Sequence, residues 1–392
     1  MRIHWLWFSR IPKLSAVQKR KLLACFGDPE EIYNADERSL KRAEIVPQEL
    51  LPWLMDKDLS ETYRLADACE RKGIGYITIA DSNYPPRLRA LEDSPLVLYY
   101  RGRLPDFEQR PMIGVVGTRD ATINGLRAAQ RLGGEIALCG GLVVSGGAVG
   151  IDIRALRGAH AAGMPTVTVL AGGLDKIYPH ENEEFLLELC QNGCLLSETA
   201  PGGAVYKGTF LQRNRLISGM SNGVVVVEAP ERSGALNTAR WAKEQGKELF
   251  AVPGAPDSPV CVGSNRLLDD GAYSATSGWA VMRVYADRYR HTVAERSFKT
   301  VQPVEIPAPK PKNDKKDIDK RPAPAYSVIE KQLPPLDERE QMLVDRLKNG
   351  PILTDLLAEE VDMGAGELMR LITVLTIKDV IDTDSHGKVY LK

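Results

Sequence analysis

The stretch Phe210-Leu211-Gln212-Arg213-Asn214-Arg215 sets two guanidinium groups and an amide beside an aromatic ring, with Lys207 three residues upstream. Single-stranded nucleic acid asks for that combination, because bases stack on rings at ~1–3 kcal/mol each while cations follow the phosphates. The same residues have a quieter reading, with Phe210 in a core and the arginines paired to Glu198 or Glu228. Glycines form the second set of candidates. Gly117-Thr118-Arg119 offers a tight turn and a guanidinium able to grip a phosphate through two N–H groups. Ser145-Gly146-Gly147-Ala148-Val149-Gly150 offers another turn, with Asp152 placed to cap the helix that follows. Backbone N–H groups at such turns and helix starts bind anions. Glycines there also serve simply to let helices pack on strands. Ser233-Gly234 adds hydrogen-bonding groups after another strand, and Glu228 can orient an arginine or a sugar hydroxyl.

No reaction centre emerges beside these groups. The five histidines (His4, His160, His180, His291, His386) are dispersed, and Ser145 lacks the G-x-S-x-G context of a nucleophile elbow. No G-x-x-x-x-G-K-[ST] occurs, which excludes a P-loop ATPase, and the second glycine turn is not the G-x-G-x-x-G of a dinucleotide site. Cys190 and Cys194 lie four apart, but no second Cys/His pair follows with zinc spacing. The expectation is a binding surface with no cofactor and no metal.

Short apolar runs place these turns. Met112–Gly117, Leu142–Gly147, Thr166–Gly173, Val224–Val227 and Glu248–Val252 read as strands. Helical patterns fill the intervals over Asn124–Cys139, Ile153–Ala162, Glu183–Cys190 and Leu236–Glu244. Strands alternating with helices make a parallel sheet covered on both faces. The expected fold class is α/β, an extended Rossmann-like, doubly wound and mostly parallel sheet. In such sheets ligands bind outside the carboxyl ends of the strands, where the glycines fall. Before the sheet, residues 1–72 read as a small helical domain with Tyr76–Ile79 the first strand, and 73–290 as the Rossmann-like domain. A tract rich in Pro, Lys and Asp marks 291–335 as a linker. In 336–392, Asp337–Lys348, Thr354–Val361 and Gly366–Lys378 read as helices. A hairpin over Val380-Ile381 and Val389–Leu391 then completes a winged-helix pattern. Its candidate recognition helix carries Arg370 and Lys378 but also Glu367, so it suits a protein partner as well as DNA.

Composition narrows the class. The chain has 392 residues, 43% hydrophobic and 26% charged, in the range of ordinary globular proteins. With 51 Lys+Arg against 52 Asp+Glu, any nucleic-acid site must be a local patch. Six scattered cysteines suit reduced thiols. The start, MRIHWLWFSR, has neither the long apolar region nor the cleavage site of a signal peptide, and no run is long enough to span a membrane. These features lead us to expect a soluble, cytoplasmic protein without membrane contact.

In order along the chain come Gly117-Thr118-Arg119, Val144–Ala148 with Gly150-Ile151-Asp152, Gly173-Leu174-Asp175 with Tyr178-Pro179, and Leu196-Ser197-Glu198. Phe210 with Arg213-Asn214-Arg215, Val227-Glu228-Ala229 with Ser233-Gly234, and Val252-Pro253-Gly254 follow. This series resembles the DprA/Smf DNA-processing family, as does the upstream Tyr84-Pro85 with Leu98-Tyr99 and Arg101-Gly102. The resemblance implies a helix-hairpin-helix-like (SAM-like) N-terminal domain, an extended Rossmann domain and a C-terminal winged helix. It implies single-stranded DNA binding, protection of incoming DNA, a homodimer, and loading of the RecA recombinase during natural transformation. By motif position the DNA contacts are Gly117, Thr118, Arg119, Ser145, Gly146, Gly147, Phe210, Arg213, Asn214, Arg215, Ser233 and Gly234, with Lys176 and Lys207 beside them. The dimer contact falls at Asn265, Leu267 and Leu268. The chain departs from the family pattern at Leu156, where a histidine is usual, at Leu211, where proline is frequent, and at Ile11–Leu14, which lacks the glycines of a phosphate-hugging hairpin. A nucleotide-processing enzyme similar to phosphoribohydrolases is the alternative. Its Pro-Gly-Gly-x-Gly-Thr loop is missing, since Pro201-Gly202-Gly203 continues as Ala204-Val205. A transcriptional regulator acting through the winged helix is a third reading.

Overall fold

The start of the chain forms six helices, of which α2, α3 and α4 are opened by polar side-chain caps: α1 (Arg2–Ser9), α2 (Ala16–Phe26), α3 (Pro29–Asn34), α4 (Glu37–Arg42), α5 (Leu51–Met55) and α6 (Ser60–Arg71). Ser15 opens α2 with a capping box, its hydroxyl accepting from Gln18 N at 3.2 Å while its own N–H donates to the Gln18 side chain at 2.9 Å. Gly27, at φ 95°, ends the helix and donates to Leu23 O. Phe8, Leu22, Ile32, Leu40 and Leu54 are fully buried in a core of their own. Leu6 and Leu65, however, join the core of the sheet that follows. The boundary expected after residue 72 therefore marks a change of element, not a break in packing, and Met1–Glu305 forms one compact unit.

The sheet is built from β1 (Gly75–Thr78), β2 (Val97–Gly102), β3 (Met112–Val116), β4 (Leu142–Ser145), β5 (Thr166–Val169), β6 (Cys194–Ser197), β7 (Gly223–Val226), β8 (Glu248–Ala251) and β9 (Tyr273–Ser274). Its order is β1-β2-β6-β5-β4-β3-β7-β8-β9. The strands from β3 to β9 run parallel, while β2 pairs antiparallel with both β1 and β6. The connecting helices are α7 (Pro86–Arg89), α8 (Ile123–Leu138), α9 (Ile151–Ala161), α10 (Glu183–Leu189), α11 (Lys207–Met220), α12 (Gly234–Glu244), α13 (Val262–Asp269) and α14 (Gly278–Met282). Two cores sandwich the sheet. One holds Leu132, Leu156 and Leu186 from α8, α9 and α10, and the other holds Leu216, Ile217 and Ala239 from α11 and α12. Every residue of β3 and β4 is buried, which is why those strands read as unbroken apolar runs.

The doubly wound, mostly parallel sheet expected from the sequence is present, and its expected strands fall within a residue or two of the observed ones except β5, which stops at Val169, four residues before Gly173. β2, β6 and α11 were not among the expected elements, and α11 changes the reading of the site. Residues 291–296 do not behave as linker: Val293 is buried, Thr292 Oγ1 donates to Gln109 O at 3.2 Å, and Ala294 N bonds Cys139 O.

This computed structural model describes residues 2–296 and, further on, 338–347, 352–353, 357, 361, 363, 365–377, 380–383 and 388–391. The second unit, Ile306–Lys392, contains α15 (Glu338–Leu347), β10 (Ile352–Leu353), α16 (Ala365–Ile377), β11 (Ile381–Thr383) and β12 (Lys388–Leu391). Its strands form an antiparallel sheet in the order β10-β12-β11, over a core that includes Leu343, Leu368, Leu375 and Val389. Most of the expected helix 354–361 and of the linker, and the turn at 385–387, lie outside the described residues. Among the described residues no helix is long and apolar enough to cross a membrane.

Candidate nucleic-acid interface

Strand order reverses at β3. The chain moves outward from it through β4, β5 and β6, then returns to place β7 on its other side. The helix after β3 packs on one face of the sheet, and the helix after β7 on the other. A cleft must open between them at the carboxyl ends of these strands. It has a volume of about 630 Å³ and is lined by Arg119, Lys207, Phe210, Leu211, Arg232 and Ser233, among others.

The floor of the cleft is closed by its own charges. Asp152, only 6% exposed, accepts from Gly146 N at 3.1 Å and from the backbone N–H groups of Ala148 and Gly117. These are the amides that were expected to receive a phosphate, so the carboxylate occupies the anion position of both glycine turns. Burial raises the Asp152 carboxyl's proton affinity, against the pull of Arg213 and those amides. Asp152 is thus a lock on the turns rather than a cap on α9, which starts at Gly150 without a side-chain cap.

Arg213 lies across Gly146, bonding Gly146 O at 2.6 Å and also Val169 O. A Cβ on Gly146 would stand 2.1 Å from the Arg213 guanidinium, so any side chain there would have to displace the guanidinium from its carbonyl partners. Burial pushes the Arg213 guanidinium down to about 10, with Asp152 opposing and Arg119 adding repulsion. Ser145 is fully buried and donates to Val115 O at 2.6 Å, while Gly147 O accepts from Asn182. Gly117 is held against Ile151, which a Cβ would meet at 2.5 Å. For Gly117, Ser145, Gly146 and Arg213 the packing role is the one the geometry displays.

The helix α11 separates the two arginines. At 3.6 residues per turn, positions 213 and 215 point about 200° apart, so both cannot face one ligand. Arg215 points away from the cleft, donating to both oxygens of Glu198 at 2.8 and 2.6 Å and to Asp93 O at 2.9 Å. Of the two arginines expected to bind phosphate, Arg213 is 6% and Arg215 9% exposed, and each has partners within the protein. Asn214 bonds Gly234 O at 3.2 Å, joining α11 to the start of α12. Glu228 pairs with neither arginine. It accepts from Thr122 N at 2.9 Å and Thr122 Oγ1 at 2.6 Å, while Glu228 O receives Thr118 N. A side chain at Gly125 would run into that carboxylate.

The lip of the cleft is different. The Arg119 guanidinium stands over the Phe210 ring at 4.8 Å, a cation–π pair, and Tyr178 meets the same ring edge-on at 6.0 Å. Phe210 is thus a partly exposed wall residue rather than core. Arg119 and Lys207 are exposed, and Leu211 is 43% exposed beside them. Arg232 completes this group, and the sequence reading passed over it; a cation on the strand-end loop just before Ser233 was the available signal. Ser233 caps α12, its hydroxyl accepting from Ala235 N at 3.2 Å, while a Cβ at Gly234 would meet open space. Lys176 is exposed after β5 but does not line the cleft.

The departures from the family pattern take definite places. Leu156 is fully buried between sheet and helices, and His160 faces Glu188 at 3.1 Å, outside the cleft. In α13, Asn265 holds the 252–254 loop by paired bonds to Gly254 N and O, and Leu267 packs on the sheet's second core. Leu268 is half-buried, while Val262 at the start of α13 and Tyr273 on the edge strand β9 are exposed.

The family profile described as DNA recombination-mediator protein A matches residues 75–285, the span of the sheet. The DNA processing protein DprA of Bacillus subtilis is 38% identical over 225 residues, covering 57% of this chain and 76% of that protein. Among solved structures, DprA from Streptococcus pneumoniae superposes with a TM-score of 0.59 at 27% identity, covering 72% of this chain and 98% of the other. DprA from Helicobacter pylori, a structure described for its single-stranded DNA binding mode, superposes with a TM-score of 0.50 at 32% identity, covering 56% and 99%. With the family profile covering more than half of the chain and relatives 32% and 38% identical over more than two thirds of their own length, the chain belongs to the DprA/Smf family of DNA-processing proteins.

Proposed function

We propose that the cleft binds single-stranded DNA at its lip. The observation that carries this reading is the Arg119 guanidinium over the Phe210 ring, with Lys207 and Arg232 at the same mouth. Rings exposed beside cations supply a stacking face and phosphate donors together, which duplex binding does not require. The single-stranded DNA binding mode named for the Helicobacter pylori relative supports the assignment. In the full reading the protein protects incoming DNA and loads the RecA recombinase on it during natural transformation, without catalysing a reaction. It acts as a homodimer whose contact falls on α13, at Asn265, Leu267 and Leu268. The N-terminal helices form the SAM-like domain, and the second unit is a winged helix.

The test is fluorescence anisotropy with single- and double-stranded oligonucleotides across a salt series. Affinity for the single strand falls with salt, and Arg119→Ala weakens it by ~1–3 kcal/mol without changing the unfolding midpoint. The log–log salt slope should drop by about 0.7, because one phosphate of the strand no longer meets a cation. Equal binding by wild type and Arg119→Ala at low salt would remove the lip from consideration. Release of base from nucleoside monophosphates would instead favour the hydrolase.

A further inference from the structure

Cations also gather at the opposite edge of the sheet, where the DNA reading makes no use of them. Lys247 immediately precedes β8, and Arg87 sits on α7. Tyr289 fixes the place of the segment after α14: its hydroxyl accepts from Asn222, which precedes β7 and whose side chain caps Met112 N at the start of β3. Arg87 donates to Phe107 O at 2.9 Å and to the Tyr289 hydroxyl. Around this point Arg87, Arg288, Arg290, His291 and Glu108 line a cavity of about 320 Å³.

The charges there are poorly balanced. Arg290 reaches Asp287 at 3.8 Å, Glu248 faces Tyr285, and Glu108 stands near Arg87. Lys247 and Arg288 have no ion pair among the described residues, and Arg288 only overhangs the Tyr289 ring at 5.7 Å. Burial, then repulsion from Arg87 and Arg288, pushes the Lys247 ammonium down to about 8. Arg87 is depressed too, by burial first and with Arg288 adding to it. Lys247 stands next to the cavity rather than on its lining, because the following Glu248 N donates to Asn222 O at 3.3 Å and Asn222 in turn bonds the Tyr289 hydroxyl. A multiply charged oxyanion in the cavity therefore relieves the repulsion among Arg87, Arg288 and Lys247.

We propose that Lys247, Arg87 and Arg288 form a second anion site, which takes a phosphate group at the amino-terminal edge of the sheet. The phosphate belongs either to a free diphosphate-type anion or to the backbone of a nucleic acid passing that edge. The strands β3, β7 and β8 are four or five residues long, so the site lies on the order of 13–17 Å from the cleft, before turns are added. A ligand confined to the cleft does not reach it.

Titration calorimetry of the full chain with inorganic pyrophosphate is the first measurement. Because the lip also offers phosphate donors, the titration is repeated in the Arg119→Ala background, where the binding that remains reports this site. Lys247→Gln and Arg288→Gln should each bind about tenfold more weakly, and the double variant not measurably, with unfolding midpoints near wild type. Absence of binding in that background, or equal binding by the double variant, overturns the site. Protection of Lys247 from an amine-directed label then separates the two sources. Protection by a long oligothymidylate, but not by one that only fills the cleft, assigns the phosphodiester backbone. Protection by pyrophosphate alone assigns the free anion, and protection by neither overturns the site.

Discussion

The floor and the lip of the cleft use the same residue types to opposite ends. On the floor, Asp152 and Arg213 are more than nine-tenths buried, and the glycine amides around them point at Asp152. At the lip, Arg119, Lys207 and Arg232 are exposed, and the Arg119 guanidinium rests on a ring rather than on a carboxylate. The floor is stabilised by groups that satisfy one another, which leaves little for a ligand to gain there. The lip keeps its donors for something outside the protein. A guanidinium in a motif is therefore a ligand group only where the fold withholds an internal partner.

The largest expected effect tests the floor. Asp152 and Arg213 are buried opposite charges that stabilise each other through the field between them. Removing one leaves the other uncompensated, at a cost of up to about 3–5 kcal/mol. Asp152→Ala also deprives the Gly117, Gly146 and Ala148 amides of their acceptor. Denaturant unfolding should show the loss, and oligonucleotide binding should fall with it because both turns loosen. If Asp152→Ala remained as stable as wild type but bound DNA more tightly, the amides would be a ligand site that Asp152 merely screens.

This division explains what could be read from the chain. The strands were legible because β3 and β4, buried on both faces, leave uninterrupted apolar runs. The cleft was legible too, because strand-end glycines mark it and Arg119 follows one of them. The helix α11 was not, since its apolar residues face the sheet only from Leu216 onward, while Phe210 and Leu211 line the cleft. Without that helix, Arg213 and Arg215 looked like neighbours on one surface. Glu198 was named as a partner in the quieter reading, and it is the partner Arg215 takes. The role of Asp152 could not be inferred from spacing, because the amides that donate to it belong to two different turns brought together by the sheet.

A middle-sized effect contrasts the arginines directly. Arg215→Ala removes two charge-assisted bonds to Glu198 and one to Asp93 O, worth about 2–3 kcal/mol together. The loss should appear in the unfolding free energy, whereas Arg119→Ala changes affinity and leaves stability alone. Measuring both quantities for both variants gives a crossed pattern. An affinity loss at Arg215→Ala as large as at Arg119→Ala, with no change in stability, would place Arg215 on the DNA and erase the distinction between floor and lip.

The smallest effect concerns Ser233, where floor and lip meet. Its hydroxyl caps α12, so Ser233→Ala should cost about 1 kcal/mol of stability. Alanine cannot by itself separate a cap from a ligand contact, since it removes both. Aspartate can, because it caps a helix as well as serine does while adding a negative charge. The residue lines the cleft beside Arg232 and Gly234. Ser233→Asp should therefore hold the wild-type unfolding midpoint and weaken single-stranded DNA binding by repelling phosphate, most visibly at low salt. Wild-type affinity in Ser233→Asp would mean that the backbone of the bound strand passes the Arg119 side of the cleft and never approaches the start of α12.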